Sequence, residues 1–334
     1  MSYSSTPNTD RMGRGPIRNR PQEVLPVTFR LGDERRGSIR QALKSGDVIR
    51  IRPGVYGYPA EFQELETYSR QRHLMLLDIS AARGTMPNTA VFSHVSAALL
   101  WGLPVVTPRG RPHLTDPHYG GGASAYERRH RSDVPSEQVA RLSGCAVTTL
   151  ERTVVDCLRI LSPAEGFVIA DAALQCGLDR DEALRINSTL LLPRYRHRTE
   201  TVLRFADARS ASPGESRLRY MAILAGLPGL EPQVRVPHKE GYYELDLGIR
   251  AVRLGLEYDG LGKYVGDALR AEKVREHRLR DAGWNLVRFI GEDLRRPHDV
   301  VAKLRQEAAR LGVTEFVPAP AVLAASPQHL PPRS

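Results

Sequence analysis

Tyr242-Tyr243-Glu244-Leu245-Asp246-Leu247-Gly248-Ile249 and, just after it, Val252-Arg253-Leu254-Gly255-Leu256-Glu257-Tyr258-Asp259 decide the reading of the whole chain. Both stretches alternate apolar and polar residues with the period of a half-buried strand. Parity puts Tyr243, Leu245, Leu247 and Ile249 on one face of the first strand, with Glu244, Asp246 and Gly248 opposite. In the second strand Val252, Leu254, Leu256 and Tyr258 form the apolar face, and Gly255, Glu257 and Asp259 lie opposite. If the strands pair with both apolar faces toward one core, Asp246, Glu257 and Asp259 converge on the reverse side. Clustered carboxylates repel one another, and a hard divalent cation with oxygen ligands is the usual remedy. The plainer alternative is a solvated acidic face on an edge hairpin.

The surroundings of these strands give an ordered series of elements. Ser212-Pro213-Gly214-Glu215 opens a helix with Leu218, Met221, Ala222 and Ala225 inward and Gly226 as its stop. Gln233 to Val236 reads as a strand before the two above, and Asp267 caps a helix carrying Arg270, Lys273, Arg275, Arg278 and Arg280. Trp284 to Ile290 is a fourth strand, and Asp299 to Leu311 a last helix. The order is αβββαβα. Pro- and Ala-rich Val317 to Ser334 reads as a disordered tail.

That order, with Glu215 on the first helix, Asp246 on the second strand and Glu257 on the third, resembles the PD-(D/E)XK nuclease superfamily. Two runs carry a closer likeness: Leu256-Glu257-Tyr258-Asp259-Gly260 with Lys263-Tyr264, and Ala271-Glu272-Lys273 through Arg278-Leu279-Arg280-Asp281-Ala282-Gly283-Trp284-Asn285-Leu286-Val287-Arg288-Phe289. They resemble bacterial proteins of that fold related to the very-short-patch-repair (Vsr) mismatch endonuclease. The resemblance implies a phosphodiester hydrolase in which Asp246, Glu257 and the Tyr258 carbonyl hold Mg²⁺ or Mn²⁺. Glu215 either steers that metal through water or completes a capping box with Ser212. The usual E-x-K lysine is replaced by Asp259; Lys263 either returns a positive charge to the pocket or pairs with Asp259 at the surface. Arg270, Lys273, Arg275 and Arg278 supply phosphate contacts, or else form ion pairs with Glu272 and Glu276 along an exposed helix.

The N-terminal half has a different character. Residues 1–22 read as a disordered basic arm. Ser38 caps a short helix ended by Gly46, Val48 to Arg52 alternates as a strand, and Pro53-Gly54 turns the chain back through Val55 to Tyr58. The segment from Arg35-Arg36 through Arg50-Ile51-Arg52-Pro53-Gly54-Val55-Tyr56 resembles the winged helix of AbiEi-type antitoxins, with Arg40, Arg50 and Arg52 as the candidate DNA contacts. The alternative is a wing that serves as a structural or protein-contact element. Residues 66–208 read as a mainly helical joining region. It is similar to AbiEi-like actinobacterial proteins through Ser93-His94-Val95-Ser96-Ala97-Ala98 and Thr149-Leu150-Glu151-Arg152-Thr153-Val154-Val155-Asp156. His94, His113, His118 and His130 lack metal-ligand spacing and read as ordinary structural or surface histidines.

The expectation is an α/β (α+β) multidomain chain: arm 1–22, partial winged helix 23–65, helical region 66–208, endonuclease-like domain 209–312 and tail 313–334. Its net charge of +10 over 334 residues favours a polyanionic partner such as DNA. Three widely spaced cysteines argue for reduced thiols and against a zinc cluster, and no apolar run reaches a membrane span. The chain reads as cytoplasmic. Two functions follow: an Mg²⁺-dependent DNA endonuclease in repair, defence or a toxin–antitoxin setting, or a non-catalytic AbiEi-like regulator that binds DNA or a cognate toxin on a nuclease-fold scaffold.

Overall fold

The computed structural model describes residues 24–30, 36–59, 65–108, 110–121, 124–191, 193–239, 241–260 and 267–324. The arm 1–22, Lys263 with Tyr264, and the end of the tail at 325–334 lie outside them. The chain forms a mixed α/β architecture with three sheets and two compact units. The first comprises residues 1–103, 108–150 and 175–179, and the second 104–107, 151–174 and 180–334. The helical region expected at 66–208 is therefore shared between them, and its first half is built on a sheet.

In the first unit, β1 (Thr28–Arg30), α1 (Arg36–Ser45), β2 (Ile49–Arg52) and β3 (Val55–Gly57) form a three-stranded antiparallel sheet of order β1-β3-β2 with one helix. Gly54 makes the tight turn at φ +73°. After α2 (Thr67–Arg83) come β4 (Val91–Phe92), α3 (His94–Leu100), β5 (His113–Thr115), β6 (Arg128–His130), β7 (Val139–Leu142) and β8 (Cys145–Thr148). Their sheet order is β6-β5-β4-β8-β7, with the β5–β6 and β4–β8 pairs parallel. Phe92, Leu114 and Val147 are fully buried at its centre.

In the second unit, α4 (Leu150–Ile160), α5 (Pro163–Gln175), α6 (Arg180–Thr189) and α7 (Arg196–Phe205) precede α8 (Pro213–Ala225). A capping box opens α5: Ser162 Oγ accepts the Glu165 N–H, and the Glu165 carboxylate accepts the Ser162 N–H. A buried Arg219–Asp171 ion pair ties α8 to α5. Then follow β9 (Leu230–His238), β10 (Gly241–Ile249), β11 (Leu254–Asp259), α9 (Asp267–Asp281), β12 (Asn285–Ile290), α10 (Pro297–Arg310) and α11 (Ala321–Ala324). The sheet order is β12-β11-β10-β9, antiparallel except for the β11–β12 pair.

Two expectations change here. The strict alternation along β10 fails, because Leu245 packs with Val234, Val236, Leu279 and Trp284. A Cβ on Gly248 would lie 3.1 Å from Val234 and 3.2 Å from Trp284, on that same side. Residues three apart share a face only where the pleat is interrupted. The interruption falls at Asp246, opposite Gln233, whose φ of +54° is left-handed. The tail also packs: the Val317 N–H donates to the Gly226 carbonyl (2.8 Å), Tyr220 Oη donates to the Leu323 carbonyl (2.8 Å), and Leu323 is fully buried.

Candidate active site

The break in the pleat builds the site. Regular pairing of β10 with β11 covers Leu247–Leu256, Gly248–Gly255 and Ile249–Leu254. One position further on, the Asp246 carboxylate takes the place of a ladder carbonyl and accepts the Tyr258 N–H at 2.8 Å. Glu215, on the first turn of α8, is buried beside it. Its carboxylate accepts from the Ala211 N–H at 2.7 Å and from Gln233 Nε2 at 2.9 Å, while the Glu215 N–H donates to Ser212 Oγ at 3.2 Å. Glu215 thus caps its helix and faces Asp246 at the same time. Burial first, and the Glu215 carboxylate second, push the Asp246 carboxyl up from the usual 3.8 to about 7.

Glu257 also stands near enough to raise the Asp246 carboxyl, but guanidiniums engage both of its oxygens. Arg275 of α9 bonds both of its oxygens, one of them at 3.2 Å, and Arg288 of β12 donates through Nε at 3.2 Å. The same guanidiniums reach Glu272, and Arg288 reaches Glu276 at 3.7 Å. Arg275 is therefore an internal counter-ion. Asp259 ends β11, half-buried. The Tyr258 N–H serves Asp246, and its ring packs so closely on Gly214 that a Cβ there would overlap it.

Of the candidate phosphate contacts, Arg270, Lys273 and Arg278 are exposed on α9, and Arg278 donates to Tyr243 Oη at 3.1 Å. In the first unit Arg40 and Arg50 are exposed. Arg52 is not: it is 5% exposed, pairs with Glu127 at 3.4 Å and donates to the Asp78 carbonyl at 3.1 Å. The wing pattern placed Arg52 on the outside, but the bulge between Arg50 and Arg52 turns it inward.

A second cluster escaped the sequence reading, which took its members for ordinary histidines. His94, His113 and His130 each bring a ring nitrogen within 4.8 Å of the other two. His113 Nδ1 and His130 Nε2 are 3.1 Å apart, and the His94 and His130 rings stack with centroids 3.7 Å apart. His94 sits where β4 passes directly into α3, at φ +50°. For a non-glycine residue that conformation costs about 1–3 kcal/mol and is maintained by its surroundings. Burial, aided by Arg128, lowers the His130 pKa to about 4, so its imidazole is neutral. The available sequence signal was the His94-x-Ser96 spacing at the strand–helix turn; Ser96 Oγ accepts the His113 N–H at 2.8 Å. His118 stays apart and exposed. Cys145, Cys157 and Cys176 are free, buried thiols, and among the described residues no helix is long and apolar enough to cross a membrane.

No family model matches the chain. Two relatives, the uncharacterized proteins MT2308 (strain CDC 1551 / Oshkosh) and Rv2248 (strain H37Rv) of Mycobacterium tuberculosis, are each 27% identical to it over 276 residues, covering 80% of this chain and 95% of theirs. Among solved structures, the RV2827C protein of Mycobacterium tuberculosis shares 16% identity at a TM-score of 0.35, covering 61% of this chain and 78% of that one.

Proposed function

We propose that the second unit is a metal-dependent DNA endonuclease whose working carboxylates are Asp246 and Glu215. One observation carries the reading: the buried Glu215 carboxylate and the half-buried Asp246 carboxylate face each other where β10 leaves β11, and burial together with that neighbour lifts Asp246 to about pKa 7. An isolated pair of buried anions is unstable, and an oxygen-only donor set suits Mg²⁺ or Mn²⁺. Such an ion lowers the pKa of a bound water and stabilises charge on the scissile phosphate. Asp246 and Glu215 would hold it, and the Tyr258 N–H fixes the Asp246 carboxylate in orientation. Glu257 takes a different role from the expected ligand. It anchors Arg275 and Arg288 beside the pocket; Glu257, Glu272 and the Glu244 carbonyl take up the terminal nitrogens of Arg275, so Arg288 is the one to meet a phosphate oxygen. Arg270, Lys273 and Arg278 extend that positive surface along α9.

One observation favours a second reading, a non-catalytic AbiEi-like regulator that binds operator DNA or a cognate toxin. Both Glu257 oxygens are engaged by guanidiniums, so the three-carboxylate set of an active nuclease is incomplete. In that reading the exposed Arg40 and Arg50 make the working contacts with duplex DNA. Incubation of the purified chain with supercoiled, linear, mismatched and single-stranded DNA in Mg²⁺, Mn²⁺ or EDTA separates the two. The endonuclease cuts at least one substrate only with metal. The regulator binds duplex in EDTA, weakens on Arg40→Gln or Arg50→Gln, and cuts nothing.

A further inference from the structure

We infer that His94, His113 and His130 form a Zn²⁺ site in the first unit. The proposal does not depend on the endonuclease reading, since it uses none of the same residues. The three side chains come from positions far apart in sequence. They are gathered because β5 pairs in parallel with β6 and because β4, on the other edge of β5, runs straight into α3. Thr115 lies opposite His130 and His113 opposite Arg128, so His113 and His130 occupy neighbouring strands. His94 reaches them from the strand–helix turn.

The spacing and the polar support both suit a metal. A tetrahedral Zn²⁺ about 2.0–2.1 Å from each nitrogen sets neighbouring ligand nitrogens about 3.3–3.4 Å apart. His113 Nδ1 and His130 Nε2 are at 3.1 Å, and one nitrogen of His94 completes a triad within 4.8 Å. Ligating imidazoles characteristically engage their other ring nitrogen with an oxygen that fixes the ring. His94 Nδ1 is 2.9 Å from Ser93 Oγ, which itself accepts from Thr115 Oγ1 at 2.8 Å. That chain anchors the His94 ring, which stacks on His130 with centroids 3.7 Å apart and turns its edge toward the cation on binding. The left-handed backbone at His94 is the local cost of bringing the third ring in. An all-nitrogen set from three imidazoles suits Zn²⁺ far better than Mg²⁺, and it leaves one tetrahedral position to water or a small ligand.

The untagged full-length chain, stripped of metal with a chelator and titrated with Zn²⁺ against a chromophoric competitor, tests the site. One equivalent is expected to bind with submicromolar affinity and to raise the Tm. His113→Gln and His130→Gln should each weaken uptake at least a hundredfold. No uptake at equimolar Zn²⁺, or uptake unchanged in both variants, overturns the proposal. Should the variants lose their circular-dichroism signature, ¹⁵N-histidine spectra of the wild-type chain decide instead. Ring-nitrogen shifts for three of its ten histidines on adding one equivalent of Zn²⁺ uphold the site, and the absence of such shifts overturns it.

Discussion

Each unit gathers titratable side chains where regular strand pairing gives out, and the two gatherings have opposite electrostatics. At the β10–β11 break the half-buried Asp246 carboxyl and the buried Glu215 carboxyl crowd together, and Arg275 and Arg288 neutralise the third, Glu257. At the β4–α3 turn three imidazoles meet, and burial keeps that of His130 neutral. The carboxylate site is under repulsive strain that a hard cation relieves, whereas the imidazole site is strained in its backbone and suits a softer cation. The same geometry, inner strands whose regular pairing stops, therefore yields two chemistries selected by residue type.

The sharpest way to break this contrast is to exchange metals between variants. Asp246→Asn should lose Mn²⁺ binding at least a hundredfold and keep Zn²⁺, and His113→Gln should do the reverse. Calorimetric titration of each variant with each metal checks this, and loss of both metals in either variant would collapse the two sites into one. Arg52→Gln comes next. It withdraws a buried partner from Glu127, which keeps Arg129, and should lower stability by about 3 kcal/mol in urea titration. Arg50→Gln, being exposed, should cost nothing measurable in the same titration. At the other site Gly214→Ala should cost about 1–3 kcal/mol, because the added methyl displaces the Tyr258 ring and with it the N–H that orients Asp246.

A smaller effect follows from the raised Asp246 pKa. A carboxyl whose pKa is about 7 in the fold and near 3.8 unfolded leaves the native state holding the extra proton across that window. Its contribution to stability is therefore full at low pH and is lost as pH rises through 7. Asp246→Asn keeps an acceptor for the Tyr258 N–H and removes the charge. In EDTA at pH 8 it should be more stable than wild type by roughly 1–3 kcal/mol, a gain that shrinks toward pH 4. Ser93→Ala acts on the other site and costs the fold only the hydrogen bond that its hydroxyl accepts from Thr115. It should weaken Zn²⁺ uptake about tenfold by freeing His94, with circular dichroism unchanged.

Much of the second unit was legible in sequence. The Ser212 cap, the Gly226 stop, the alternating strands and the Asp267 helix lie within a few residues of where their signals put them, because caps and periodicity are local. The break at Asp246 was not legible. It depends on a left-handed Gln233 on the neighbouring strand, and one skipped residue reverses the facing of every side chain beyond it. The Arg275–Glu257–Arg288 clamp and the histidine triad were hidden for the same reason. Their partners meet through sheet order, and no spacing along the chain encodes it. The packed tail was hidden differently: Val317, Val322 and Leu323 are spaced among Pro and Ala without a helical or strand period.

The most direct test of the central claim is a single-turnover rate on a DNA substrate in Mg²⁺ or Mn²⁺, for the wild-type chain beside Asp246→Asn and Glu215→Gln. If the two carboxylates hold the metal, Asp246→Asn should slow cleavage about a thousandfold or more and Glu215→Gln by less, with both variants folded. Metal-dependent cleavage that persists in Asp246→Asn would contradict the assignment, and a wild-type chain that cuts no substrate would leave the second unit as a scaffold for binding.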